Sequence, residues 1–446
     1  MLLSFRTANV RSFRDEINFS MLATTMAEPD AVRYVRWREG GKPIGVLPVA
    51  GIFGANASGK SNLLKAMEEM RLHVLHSFRS GSPTGGIPRR PFRLDGKSRE
   101  KPSRFELDLV LDGVRCEYGF AIDNERVTEE RAVHYPHGRA ALLFERRGNN
   151  VELGPATRAG RAAAELLRPN ALYLSTAAAT NQASLLPLYA WFERNLVLAE
   201  SDSRPFRQAL TAQMLESKES GRLVLALLRA ADLGINGAKS YDFDDETKDR
   251  LERAVRVLLG KEGDPEGGEL VPDLARLRIR LTHQGAEQDV ELTTGDESVG
   301  TLVWFGLVGP VIQALAHGAV LLVDELDASL HPALAAQLVA LFQSPETNPH
   351  RAQLIFNSHD ATLLGDSAVD RSIGRDQVWF TEKQMDGNSR LYPLSDLDPR
   401  KGEAVGKRYL AGRYGATPIL SRQQFAAIAE CVTASEHTGV PHGPTE

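Results

Sequence analysis

Eight residues constrain this chain more than any other stretch. Gly54 to Ser61 read Gly-Ala-Asn-Ala-Ser-Gly-Lys-Ser, and the pattern G-x-x-x-x-G-K-S is the spacing of a loop that cradles phosphate groups. Its surroundings matter as much as the match. An apolar run at 46–53 leads straight into it and reads as a buried strand, and a helix-forming run at 62–70 leaves it. Strand, glycine loop and helix are the context the motif requires. Gly54 and Gly59 let the backbone bend tightly and turn its N–H groups toward an anion. The helix N-terminus adds partial positive charge there. Lys60 can reach the outer phosphates, and the Ser61 hydroxyl is placed to ligate Mg2+.

At 446 residues the chain is expected to divide into two or three lobes. A net charge of −5 excludes a wholly basic nucleic-acid-coating protein but leaves a local basic groove open. Cys116 and Cys431 lie far apart, in no metal-binding spacing, and read as free thiols of a reducing compartment. The N-terminus lacks the apolar core of a signal peptide. No run approaches the ~18 apolar residues of a membrane helix. The expected setting is cytoplasmic, with no membrane partner.

In chain order, residues 1–20 alternate as a hairpin would, and a second short strand is expected near Tyr34–Arg38. Basic residues gather in a loop-like stretch: Arg89, Arg90, Arg93, Lys97, Arg99, Lys101 and Arg104. Residues 104–147 alternate as an antiparallel meander, with Asp112-Gly113 as a hairpin turn. Residues 160–260 carry helical stripes instead, among them Leu185, Leu186, Leu188, Trp191, Phe192 and Leu196, and read as an inserted helical lobe. A turn-rich linker at 260–268 and a strand pair at 277–281 and 290–292 follow.

A second half of the same site lies far downstream. Residues 319–325, Ala-Val-Leu-Leu-Val-Asp-Glu, form an apolar strand ending in two acids, the Walker B pattern. Asp324 would sit where open α/β sheets bind ligands and hold the Mg2+ shell. Glu325 would act as general base toward a water. The run 354–360 is another buried strand, with His359 at its polar tip, one strand beyond and placed to sense a γ-phosphate. Ser298-Val299-Gly300 precedes an apolar helix and offers a second anion site at its N-terminus.

With these motifs in order, the chain resembles ABC-type ATPases of the SMC/RecF/OLD branch. The strings GIFGANASGKSNLLKAM, PFRL (Pro91–Leu94), ESVGT (Glu297–Thr301), LLVDELDASLHP and NSHD are most similar to bacterial AAA ATPases of the RloA and OLD type, often encoded beside a nuclease in anti-phage systems. The opening NVRSF (Asn9–Phe13) is similar to that branch's start, which implies Arg11 and Phe13 near the adenine. The resemblance implies ATP held by Gly54, Asn56, Gly59, Lys60, Ser61 and Asn62, with Mg2+ at Ser61 and Asp324. Glu325, Lys60 and His359 would be catalytic. Ser298 and Gly300 would contact triphosphate bound by a second subunit, and Asp327 and Ser329 would lie at the dimer seam. One departure is visible: these ATPases carry a Q-loop glutamine after the P-loop helix, and none occurs between residues 62 and 181, leaving Gln182 as a distant candidate.

OLD-type nucleases add a C-terminal Toprim domain, but the residues after His359 are too few for one and lack its spaced acids on a strand; Asp396-Leu397-Asp398 runs into Pro399. The expected fold is therefore α/β: an ABC-type P-loop ATPase core with an antiparallel β subdomain and an inserted helical lobe. Residues 1–160 and 265–400 would form its halves, 161–264 the insertion, and 401–446 an extension with a disordered tail. The expected function is an ATP-binding and ATP-hydrolysing switch subunit, a homodimer or higher homo-oligomer, controlling a separate effector such as a Toprim-type nuclease in anti-phage defence. The alternatives are a RecF-like DNA-binding repair ATPase using the Arg89–Arg104 cluster, or a nucleotide-gated scaffold that hydrolyses little.

Overall fold

The computed structural model describes residues 1–38, 40–242, 277–365, 372–418, 421, 423 and 426–428. The apolar stripe at 251–259, the linker at 260–268, Cys431 and the tail at 440–446 lie outside the described residues.

Hydrophobic alternation builds the first half. Strands β1 (Leu2–Ala8) and β2 (Ile17–Ser20) pair antiparallel. A short ribbon, β3 (Arg33–Val35) with β4 (Ile44–Val46), leads to β5 (Val49–Gly54), buried along its whole length. Helix α1 (Lys60–His76) leaves the glycine loop. Then comes the meander: β6 (Ser103–Leu111), β7 (Val114–Ile122), β8 (Val127–His134), β9 (Ala141–Arg147) and β10 (Asn150–Leu153). Asp112 and Gly113 turn β6 into β7 with φ of 49° and 79°, the doubly positive geometry that a tight hairpin needs and Asp-Gly supplies. The outer face of this sheet carries ion pairs such as Arg6–Glu106, Arg104–Glu129 and Arg115–Asp108. It reads as a solvated face of paired charges.

The middle of the chain mixes types. Helices α2 (Arg161–Glu165), α3 (Tyr173–Ala179) and α4 (Leu186–Arg194) come first. Then β11 (Leu196–Ala199) departs from the all-helical expectation for 161–264. Leu196, read as part of one helix stripe with Leu186, begins this strand, because the helix ends at Asn195 and the β-branched and leucine-rich run after it pairs with the core sheet. Helices α5 (Arg204–Met214) and α6 (Lys218–Ala230) follow, and then β12 (Ile235–Asp242), a second strand in the expected helical lobe. It pairs with β13 (Leu277–His283), which pairs with β14 (Val290–Thr293).

The last third returns to the core: α7 (Val299–His317), β15 (Val320–Val323), α8 (Pro332–Gln343), β16 (Gln353–Asn357), β17 (Val378–Lys383), β18 (Ser389–Pro393) and α9 (Val405–Leu410). The core sheet has the order β11-β15-β16-β5-β17-β18. Its first five strands run parallel, and only β18 is antiparallel. It lies between two apolar cores. Ala50, Ile52, Val320, Leu322 and Ile355 face the one shared with the meander and α1. Val49, Phe53, Leu321, Val323, Leu354 and Phe356 face the one shared with α7 and α8. Strands buried on both faces must read as unbroken apolar runs, which is how β5, β15 and β16 read in the sequence.

Helix α7 corrects another expectation. By length and composition alone it is apolar enough to cross a membrane. Here Trp304, Phe305, Leu307, Val308 and Val311 are buried among the core residues of this fold, so its apolarity has a packing partner. Pro310 lies inside it. A proline cannot donate to the carbonyl four residues earlier, and the Gly306 carbonyl is met instead by Arg207 Nη1 of α5 at 3.5 Å.

Candidate functional site

Parallel strands present their C-terminal ends, and the loops leaving them, on one edge. Three neighbouring strands bring the motif residues together there: Asp324 directly follows β15, Ser358-His359 follow β16, and the glycine loop follows β5. Gly59 adopts φ 115° at the start of α1, a backbone position that strains other residues. Lys60 Nζ donates to the Gly54 carbonyl at 2.8 Å and to Ala55 at 3.1 Å. Burial drives its amine down to about 8, against the opposing pull of Asp327, Glu325 and Asp324. An ammonium so desolvated is poised for an anionic partner.

His359 Nδ1 stands 3.4 Å from Lys60 Nζ. Burial first, and the Lys60 charge second, hold its pKa below the usual histidine value. With Nδ1 accepting from the ammonium, the ring keeps its proton on Nε2, pointing a donor away from Lys60. Asp327 accepts from the His359 backbone N–H at 3.2 and 3.3 Å, which fixes the loop carrying the ring.

Asn357, which no sequence motif singles out, ties the acidic side together. It is fully buried. Its amide donates to Asp324 Oδ1 and, at 3.4 Å, to Ser61 Oγ, while its carbonyl accepts from the Glu325 backbone at 2.7 Å. Glu325 holds φ 57°, an uncommon conformation for a non-glycine residue that this hydrogen bond supports. Ser61 and Asp324 thus lie on one side chain, a hydroxyl and a carboxylate in reach of the same point. Mg2+ is held by few protein oxygens beside phosphate oxygens and water, and this pair fits it. Among the described residues no group of three or more His, Cys, Asp and Glu side chains gathers as a metal cage would need.

The cleft over the glycine loop measures about 1020 Å³, and Asn56, Gly59, Lys60, Ser61, Asn62, Glu325 and His359 line it. Asn62 spends its amide on Ser12 Oγ at 2.9 Å. Arg11 also lines the cleft, its Nε 3.2 Å from Glu69 Oε2. Phe13 does not: it is fully buried in the apolar core and cannot reach a base. It sits in the turn between β1 and β2, bridged to Val10, with its ring among the core residues.

Ser298 caps α7, its hydroxyl accepting from the Thr301 N–H at 3.1 Å. Gly300 lies against the loop after β15, and a β-carbon there would stand 2.6 Å from the Ser329 carbonyl. Ser298 and Ser329 are exposed and Gly300 half-buried in one neighbourhood, and none of the three is among the residues lining the cleft. Gln182 is not at the site. Its amide contacts Thr157 and Ser184 beside the meander. The loop that does leave the sheet beside Walker B begins with Glu200, directly after β11; Ala199 accepts from the Asp324 N–H at 2.9 Å, and Glu200 pairs with Lys65 at 3.3 Å. Only its place in the topology marks this residue, since its local sequence matches no motif.

The basic cluster also changes. Arg89 is buried, its guanidinium bonded to Asn124, Ser103 and two carbonyls. Arg104 pairs with Glu129.

Residues 49–365, well over half of the chain, match the family described as "AAA domain, putative AbiEii toxin, Type IV TA system". No curated protein matches the sequence. Among solved structures, the SMC head bound to the C-winged helix domain of ScpA shares 13% identity at TM-score 0.41, over 89% of this chain and 99% of that one. The SMC head domain from Thermotoga maritima shares 13% at TM-score 0.37, over 88% and 98%. The SMC head domain with an extended coiled coil, bound to the C-terminal domain of ScpA derived from Pyrococcus furiosus, shares 12% at TM-score 0.36, over 89% and 97%. The family match, together with a glycine loop and Walker B pair meeting at one sheet edge, identifies the chain as a member of that AAA family and a P-loop ATPase.

Proposed function

We propose that this chain hydrolyses ATP and uses the bound triphosphate to join copies of itself, as the switch subunit of a bacterial anti-phage system. The observation that carries this reading is the convergence of Lys60, Ser61, Glu325 and His359 on one cleft, with Asp324 joined to Ser61 through Asn357. Lys60 exchanges its carbonyl partners for phosphate oxygens. Glu325, exposed at the cleft, orients the attacking water and takes its proton. His359 donates from Nε2 toward the γ-phosphate. Asn357 keeps the Glu325 backbone and the Asp324 carboxylate in place. Mg2+, when bound by Ser61 and Asp324, supplies charge neutralisation at the β- and γ-phosphates.

Ser298 and Gly300 lie outside this cleft, which supports their serving the triphosphate of a second copy. Similarity of the motif strings to RloA-type proteins supports a separate effector, a Toprim-type nuclease by class, in the cytoplasm. The family's description, with its toxin and TA system, fits a two-component setting. The test is light scattering on wild type and Glu325→Gln, each with and without Mg-ATP, with phosphate release followed alongside. The expected mutant releases no phosphate and locks into a larger ATP-dependent assembly. Unchanged mass and no phosphate from wild type would favour the scaffold reading instead, which the distance of Gln182 from the site keeps open.

A further inference from the structure

The sheet order gives the cleft a direction. Strand β5 feeds the glycine loop, and the hydrolytic groups Glu325 and His359 come from its β16 and β15 side. The γ-phosphate end must lie there. The other wall comes from the opposite side of β5, where β17 and β18 meet in a hairpin, and Lys383 and Gly387 line the cleft. The nucleoside end of a bound triphosphate must lie toward that hairpin.

Three segments far apart in sequence are knitted together at this end. The Arg11 N–H donates to the Arg90 carbonyl at 2.6 Å, and the Ser389 N–H to the Ser12 carbonyl at 2.8 Å. Arg14 donates to Asp386 at 2.6 Å, and its backbone to Asn388 Oδ1 at 2.8 Å. Phe92 is buried beneath Arg14, whose guanidinium lies 5.9 Å from its ring. Out of this wall stands Leu94. It lines the cleft, packs toward Gly387, and is 64% exposed. With Pro91 and Phe92 beside it in the lining, Leu94 offers an apolar surface next to the cationic groups of the cleft, suited to a flat apolar ligand face.

We propose that Leu94, held between the Pro91–Leu94 loop and the 383–389 hairpin, is the platform for the nucleobase, and that this platform accepts adenine and guanine alike. This inference rests on the nucleotide reading above and replaces Phe13 as the apolar contact. The lack of selectivity follows from donor chemistry. The long charged side chains at this end are Arg11, Arg90, Arg93 and Lys383, which donate and cannot accept. Both purines carry an N7 acceptor, whereas guanine adds an O6 acceptor and adenine an N6 donor. Among the described residues no carboxylate lines this end of the cleft, because Asp386 is held by Arg14 and Glu69 by Arg11. The charged side chains here can therefore grip shared features, but not select adenine by its amine.

The experiment measures dissociation constants of the full chain with Mg2+ for ATP, GTP and inorganic tripolyphosphate, in wild type, Leu94→Ser and Lys60→Ala. Wild type is expected to bind ATP about tenfold more tightly than tripolyphosphate, the scale of burying one leucine against a ligand. GTP should fall within about fivefold of ATP. In Leu94→Ser the ATP advantage over tripolyphosphate should shrink to about twofold, with tripolyphosphate itself unchanged; the residue is exposed, so the variant should retain the wild-type circular dichroism. Lys60→Ala should weaken all three ligands together. Equal binding of ATP and tripolyphosphate by wild type overturns the platform, as does an unchanged ratio in Leu94→Ser. Exclusion of GTP overturns the selectivity claim. Failure of every ligand to bind wild type would instead sink the nucleotide reading beneath it.

Discussion

Asn357 is the residue on which the acidic half of the site hangs. Removing its side chain leaves the Glu325 N–H and the Asp324 carboxylate without their buried partner. Each of these partly buried bonds contributes about 0.5–1.5 kcal/mol, so Asn357→Ala should lower unfolding stability by about 1–3 kcal/mol, read from a urea transition. Lys60 gives a pH signature. Its pKa in the free protein is lowered to about 8. The amine is charged below that value and increasingly neutral above it, while phosphate oxygens favour the charged form. Triphosphate binding at about pH 9 should therefore take up a proton, and at about pH 6.5 it should take up none through this group. Calorimetry in buffers of different ionisation enthalpy checks it. These residues differ in legibility. Lys60, Ser61, Asp324 and Glu325 announce themselves because their chemistry requires fixed spacing. Asn357 and Glu200 do not, because their roles come from which strand lies beside which. Phe13 misled because the resemblance of the NVRSF string carries a residue's position but not the direction of its side chain, which here packs into the core.

Elements explain how the sheet edge is tied to the helix that carries Ser298. Arg207 of α5 donates to the Glu200 carbonyl at 2.9 Å and to the Gly306 carbonyl that Pro310 leaves without a partner. Burial lowers its guanidinium to about 10. One side chain thus bridges the end of β11 and the interruption in α7. Arg207→Met should destabilise the protein by about 2–4 kcal/mol, through two stranded carbonyls. If the α7 bond contributes, Pro310→Ala restores a donor to Gly306 and should soften that loss, with a coupling of about 1 kcal/mol in a double-mutant cycle. The contact of Gly300 with Ser329 makes a separate prediction: Gly300→Val must displace backbone, so ATP-dependent association should fail while single-copy ATP binding persists. Helical stripes were legible here, but β11 and β12 were not. Four or eight residues of apolar or mixed character read alike as strand or helix until a neighbouring strand claims them.

At the scale of the whole molecule, the charge pattern argues about DNA. With Arg89 buried and Arg104 paired, the exposed cations of that loop are interspersed with Asp95 and Glu100. Duplex binding at physiological salt should be no tighter than about 10⁻⁴–10⁻⁶ M, the range of sequence-independent contacts; nanomolar affinity in a fluorescence titration would revive the RecF-like alternative. The general architecture was readable because two distant motifs must share one sheet edge. The position of β17 was not: Val378-Trp379-Phe380 shows an apolar run but nothing of its partner. That partner is β5, which sits between β16 and β17 and pairs with both. Synthesis consequently imposes a delay. A nascent chain emits its phosphate loop early, yet the strands that brace it are made some three hundred residues later. At about 5–20 residues per second, the loop waits on the order of tens of seconds on the ribosome. Only a chain extended through β16 and β17 can seat the loop-bearing strand β5 between its two neighbours, so a fragment ending before them carries the glycine loop without the strands that hold it.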